Sequence, residues 1–229
     1  MKAKLANWLA ACRRWLRSAR GRRDAGIHEA AILHIDIVGS TRLVEKDLDL
    51  AHHQIRQLYA RLCRVSQAHR GIVRELRGDA AVVEFAAAED AIRAALAIQD
   101  ANGLLNRSRL GKINPDIRSG ISFGTIISED RMITGLAVIR AQRIEQLAEP
   151  GAVLIDQSVV DRLCNRGEFG ISELGRRRLK GFAEIAVIYR ASGAPANAWH
   201  TLAAQLESPR GRRRGILVPK PALLELQAG

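Results

Sequence analysis

The stretch AILHIDIVGST, residues 31–41, decides how the rest of this chain is read. Its first eight residues form an apolar, β-branched run with one acid inside it, which predicts a buried strand. Gly39, Ser40 and Thr41 then break the strand and can cap a following helix. In that helix Ile55, Leu58, Leu62 and Val65 keep a three-four-three spacing, one apolar face for a sheet. GIVREL (71–76) and AAVVEF (80–85) predict two strands joined by a tight hairpin at Arg77-Gly78-Asp79. AAAEDAIRAALAIQDANGLL (86–105) is an alanine-rich helix, and IRSGISFGTIIS (117–128) a strand with two glycines inside it. A helix over 136–148 ends at Pro150-Gly151, and AVLID (152–156) and AVIYR (186–190) add two more strands. This order predicts an α+β domain of ferredoxin-like split βαβ type, an antiparallel-rich sheet with helices on one face.

The chain has 229 residues, 47% hydrophobic and 26% charged, with a net charge of +12. That composition suits a soluble globular domain, and no apolar run approaches the roughly 20 residues of a membrane-spanning helix. The charge lies at the ends. Residues 1–23 hold eight basic side chains and no acid, residues 191–229 five basic and two acidic, leaving 23 basic against 22 acidic between them. A nearly neutral centre argues against a domain shaped around a polyanion, although the tails could bind one. The expected organisation is a basic amphipathic extension (1–28), one domain (29–191) and a basic arm (192–229) containing RGRRRG. In the extension Leu5, Trp8, Leu9, Cys12 and Leu16 recur at helical spacing opposite arginines. Such a helix can pack on a dimer or a core, or lie on an acidic membrane surface. Its arginines follow the short apolar stretch, unlike those of a signal peptide. Cys12, Cys63 and Cys164 are odd in number and far apart, which points to a reducing cytoplasm.

An acid inside a buried strand is costly unless something pairs with it. In a βαββ unit with antiparallel central strands the hairpin tip lies beside the end of the first strand, so Asp79 is expected near Asp36. Two carboxylates meeting there repel, and hard divalent cations relieve the repulsion. A lone turn aspartate needs no such explanation. Together, with Gly39-Ser40 and Gly78 supplying backbone donors nearby, the pair reads as a metal site.

IDIVGST, GDAAVVEF, GLAVIRAQRIEQLAEPGAVLI and LGRRRLKGFAEIAVIYR resemble, in that order, the class III adenylyl and guanylyl cyclase homology domain over about residues 30–190. The resemblance implies conversion of a nucleoside triphosphate to its 3′,5′-cyclic monophosphate, with Asp36 and Asp79 holding two Mg²⁺ or Mn²⁺ ions. It implies that the backbone of Ile37, Val38, Gly39 and Ser40 receives the triphosphate, that Arg143 stabilises charge at the α-phosphate and that Lys180 binds the triphosphate. It also implies a twofold homodimer, because in this family the metal aspartates of one site come from one subunit and the arginine, lysine and base-reading residues from the other.

Three positions depart from the family pattern. Ile139 replaces an asparagine that orients the ribose, and an isoleucine donates no hydrogen bond. Glu75 stands where adenylyl cyclases carry a base-reading lysine; an ionised glutamate only accepts, which suits guanine N1–H, uracil N3–H or the cytosine amino group. Met132 stands where adenylyl cyclases carry an aspartate, and a methionine fills space without reading a base edge. These departures resemble the pyrimidine cyclases of bacterial anti-phage (Pycsar) signalling. That likeness implies cyclisation of UTP to cUMP as a messenger for a separate effector, with guanylate or adenylate cyclisation as the alternatives. Tyr59 reads as a packing residue that could also close the pocket. Two other readings stand beside these: a degenerate cyclase domain that binds without turnover, for which Ile139 speaks, and a nucleic-acid binder working through its tails.

Overall fold

The computed structural model describes residues 26–108, 116–129 and 132–193. Most of the expected N-terminal extension, and the arm from residue 194 onward, lie outside the described residues. β1 (Gly26–Ile37) starts three residues ahead of the expected domain boundary and is followed by α1 (Ser40–Lys46) and α2 (Leu48–Ala68). The hairpin β2 (Ile72–Arg77) and β3 (Ala80–Phe85) leads to α3 (Ala88–Ser108) and β4 (Ile117–Glu129). β5 (Met132–Thr134), α4 (Leu136–Glu145), β6 (Val153–Asp156) and α5 (Gln157–Val160) come next, then β7 (Phe169–Arg178) and β8 (Ile185–Gly193).

The strands form one sheet in the order β2-β3-β1-β4-β6-β8-β7, with β5 paired to β4. Every pair is antiparallel except β4 with β6. The α+β, split βαβ reading of the sequence therefore holds, with β1 inside the sheet between β3 and β4. Its side chains alternate between two faces. Ala31, Leu33, Ile35 and Ile37 face one way and pack with Leu58 and Leu62 of α2 and with Ala91, Ile92, Ala95 and Ile98 of α3. Ala30 and Ile32 face the other way and pack with Ala137 and Ala141 of α4.

One helix is thus added to the face that the sequence reading left bare. α4 can lie there because Gly120 of β4 has no side chain: a Cβ at that position would run into the backbone of Ala141 and Glu145. α4 also ends sooner than the predicted residue 148. Leu147 N–H bonds Ile144 O and Ala148 N–H bonds Glu145 O, three-residue bonds that tighten the chain before Pro150. The helix that starts at Ser40 is interrupted at Asp47, whose carboxylate accepts from Leu50 N–H at 2.9 Å and so caps α2.

Candidate active site

The last turn of β1 and the tip of the β2–β3 hairpin meet at one end of the sheet. Asp36 is paired with Ala80 on one side and with Arg118 on the other. Asp79, one residue before Ala80, is linked to β1's exit by a short hydrogen bond from Ser40 Oγ to its carboxylate. The expected meeting of Asp36 and Asp79 is therefore built from strand register and a hydroxyl bridge. Gly78 at φ 61° and Gly39 at φ 70° take the left-handed conformations that turn the chain sharply on both sides.

Burial raises the Asp36 carboxyl above its ordinary value, and the negative charges of Glu145 and Asp79 push it the same way. Arg118 opposes them by donating Nη2–H to Asp36 Oδ2 at 2.7 Å. The same guanidinium lies 2.5 Å from Glu145 Oε1, and Glu145 is 2% exposed. Arg118 thus stands between two acids and holds a charge that would otherwise be unpaired. The sequence reading missed both residues. The available signal was the guanidinium in IRSG, a cation inside an otherwise apolar strand directly across the sheet from Asp36.

Tyr59 on α2 donates its hydroxyl to Gly78 O at 2.8 Å, with Ala80 O at 3.2 Å as a second acceptor. Burial, then the charges of Asp79 and Asp36, push the phenol up to about 12. It packs against the core, as the sequence suggested, and it also ties down the hairpin tip.

The remaining expected site residues are not gathered at the aspartates. Among the described residues no hydrogen bond or ion pair joins Arg143 or Lys180 to Asp36 or Asp79. Arg143 is part-exposed on α4 and bonds Gln146 Oε1 at 3.1 Å. Lys180 is exposed in the turn after β7. Met132, Leu136 and Ile139 present 68%, 66% and 45% of their surfaces to solvent along β5 and α4, an apolar strip beside Arg143. Glu75 lies opposite Val82, and hence on the Asp36 side of the sheet, with a third of its side chain exposed. Of the backbone expected to hold the triphosphate, Val38 N–H is already bonded to Asp116 O at 2.8 Å. Ile37 has its side chain in the core, while Gly39 is exposed and Ser40 part-exposed beside Asp79.

Two carboxylates, both only partly buried and one with its protonation eased upward, are a donor set that hard divalent cations fit. Among the described residues no group of three or more His, Cys, Asp or Glu side chains is placed to hold a metal, so further oxygen ligands would have to come from a bound triphosphate and water. A cleft of about 260 Å³ between α4 and the β7–β8 turn, lined by Arg140, Asp156, Leu179 and Phe182, contains neither Asp36 nor Asp79.

The fold has counterparts among solved structures. The adenylyl cyclase CyaB from P. aeruginosa superposes with a TM-score of 0.66 at 20% identity, over 75% of this chain and 97% of that one. An adenylate/guanylate cyclase/hydrolase from Silicibacter pomeroyi gives 0.63 at 28% identity, over 75% and 99%. The fold is that of the class III adenylyl/guanylyl cyclase domain. The guanylyl cyclase Cya2 shares this cyclase fold, with a TM-score of 0.64 at 21% identity over 75% and 95%. In sequence, the chain is 32% identical over 152 residues to putative adenylate cyclase 3 of Rhizobium meliloti (strain 1021). That match covers 66% of this chain and spans about a quarter of the length of that relative. No family model matches the chain. Among the described residues no helix is long and apolar enough to cross a membrane.

Proposed function

We propose that the chain is a nucleotide cyclase working as a homodimer, and the observation that carries this is Asp36 and Asp79 brought together at the end of β1 with Arg118 as counter-ion. Two divalent cations, Mn²⁺ or Mg²⁺, held by these carboxylates would neutralise the triphosphate and acidify the ribose 3′-hydroxyl. In the reaction the ribose 3′-oxygen forms a bond to the α-phosphorus, the bond from that phosphorus to pyrophosphate breaks in line, and the hydroxyl proton passes to solvent. Gly39 and Ser40 lie where the triphosphate would enter. Arg143 and Lys180 of a second copy would meet the phosphates, which accounts for their distance from the aspartates within one chain. The apolar strip of Met132, Leu136 and Ile139 beside Arg143 supports such a face between copies.

The nucleotide we assign is UTP, giving cUMP. Glu75 offers acceptors only, which complements uracil N3–H, and Met132 closes the pocket without a polar group. The product would serve as a messenger for a separate cyclic-nucleotide effector in anti-phage signalling, and the protein would act in the cytoplasm. A second reading, binding without turnover, is favoured by Ile139, which supplies no donor to the ribose.

One experiment separates them. Purified full-length protein, confirmed folded and dimeric, is incubated with each of the four ribonucleoside triphosphates and Mn²⁺, and cyclic product is measured by mass spectrometry. Cyclic UMP is expected to predominate, and Asp36→Ala or Asp79→Ala is expected to abolish it while leaving the dimer folded. No product from any nucleotide would overturn the enzymatic reading; a predominant purine product would overturn only the base assignment.

A further inference from the structure

The register of β2 against β3 contains an irregularity whose position bears on base selection. Val73 pairs with Val83 and Leu76 with Ala81, and all four side chains belong to or pack against the same apolar core. Strand alternation puts residues two apart on one face. Val73 and Leu76 are three apart, so one residue between them must be extra, a β-bulge. The apolar pattern alone does not choose between Arg74 and Glu75. In the structure Glu75 keeps a partner, Val82, and Arg74 is the extra residue.

A buried polar cluster makes that choice. Arg74 Nε donates to Glu84 Oε2 at 2.9 Å, and Nη2 to Ser128 Oγ of β4 at 3.3 Å. The side chain of Glu84 is 0% exposed and that of Arg74 9%. His28 of β1 holds the other Glu84 oxygen at 3.0 Å. A carboxylate buried in the middle of a sheet needs these partners, so the guanidinium is drawn across β3 and β1 toward β4. The bulge is thereby fixed one residue before Glu75, which stays opposite Val82 on the face that carries Asp36.

We propose that Arg74 is a positioning residue for base selection: its guanidinium, clamped by Glu84 and Ser128, sets the bulge register that aims Glu75 at the nucleotide. This rests on the cyclase reading above, with Glu75 facing the base. Arg74 itself reads nothing; removing its clamp lets the bulge move and Glu75 turn.

The test is a set of kcat/KM values for the four nucleotides on full-length protein carrying Arg74→Met/Glu84→Met, Glu75→Ala, or all three changes. The paired methionines remove the clamp without stranding a buried charge. The clamp-less variant is expected to lose about tenfold in the ratio between the preferred nucleotide and the next, as Glu75→Ala does, since a lost base contact is worth about that much. The triple variant is expected to be no worse than Glu75→Ala, because residues acting through one another are not additive. Arg74→Lys is expected to keep part of the discrimination, as a single point charge facing Glu84. An unchanged ratio in the clamp-less variant, or effects that add in full in the triple one, would overturn the proposal. If the paired variant does not fold, Arg74→Lys and Ser128→Ala carry the same comparison. A wild-type protein silent on all four nucleotides refutes the cyclase reading and this inference with it; an active wild type whose selectivity ignores the clamp refutes this inference alone.

Discussion

Asp36 carries a charge that its surroundings resist, and Arg118 is what makes that charge tolerable. With the guanidinium removed, Asp36 would lose its only cationic partner among the described residues while burial and the charges of Glu145 and Asp79 still press on it. The Arg118→Met variant is therefore expected to lose about 1–3 kcal/mol of stability at neutral pH, the cost of an uncompensated partly buried charge. The sign of the pH dependence follows from Asp36: a carboxyl whose folded value is raised favours the folded state while protonated. The deficit of the variant should thus shrink as pH falls toward the carboxylate range and grow as it rises. Thermal denaturation across that range measures it, and a deficit that deepens in acid would contradict the assignment.

At the level of single elements, Gly120 and the ion pair of Arg93 with Glu168 each join two pieces of the fold. Gly120→Ala would set a methyl group against the α4 backbone, which cannot swing away as a side chain would. The expected loss is about 1–3 kcal/mol, seen as a lowered Tm, with reduced turnover because Glu145 and Arg143 ride on that helix. Arg93 of α3 donates to Glu168 Oε2 at 2.7 Å and holds the Glu168 carboxyl below its ordinary 4.5. Both side chains are about a third exposed, so solvent screening limits the pair to no more than about 1 kcal/mol. Its contribution exists above the ordinary glutamate value and vanishes as pH falls through the lowered one. Arg93 also donates to Asp90 Oδ1 at 2.8 Å, so the pair is isolated from the other side. Glu168→Gln should be less stable than wild type at neutral pH and indistinguishable from it in acid, as equilibrium denaturation would record.

Elements with strong periodicity were legible in the sequence: β1, the hairpin, α2, α3 and β4 lie within a few residues of their expected places. β7 was not, because FGISELGRRR mixes charges with a glycine at a register shift opposite β8 and shows no clean alternation. β5, three residues long, carries too little pattern to read. At the site, the two aspartates could be paired from sequence because strand order alone brings them together. Arg118 offered only its charge inside a strand, and Glu145 offered nothing, since no local feature says that a helix from another part of the chain converges on Asp36. The spacing of Val73 and Leu76 calls for a bulge between them, but its place at Arg74 could not be read, because the partner Glu84 lies ten residues away on the next strand.

For the molecule as a whole, the proposed sharing of each site between two copies, with Arg143 and Lys180 of one facing the aspartates of the other, can be tested directly. Mixing an inactive Asp36→Ala protein with an inactive Arg143→Ala protein should restore product, because one of the two composite sites in a mixed dimer is intact. With random exchange about a quarter of all sites should recover. Turnover by size-separated monomers, or no recovery after confirmed subunit exchange, would contradict the shared site.

The hydroxyl of Tyr59 has a wider consequence. The hairpin tip bearing Asp79 is moored to α2, and α2 is seated in the interior by Leu58 and Leu62. The gauge between the two carboxylates is therefore inherited from how the domain is packed, not left to a turn that could relax by itself. Damage deep inside, at a leucine far from either carboxylate's surface, would be felt at the end of β1 as a pair of acids set at the wrong width.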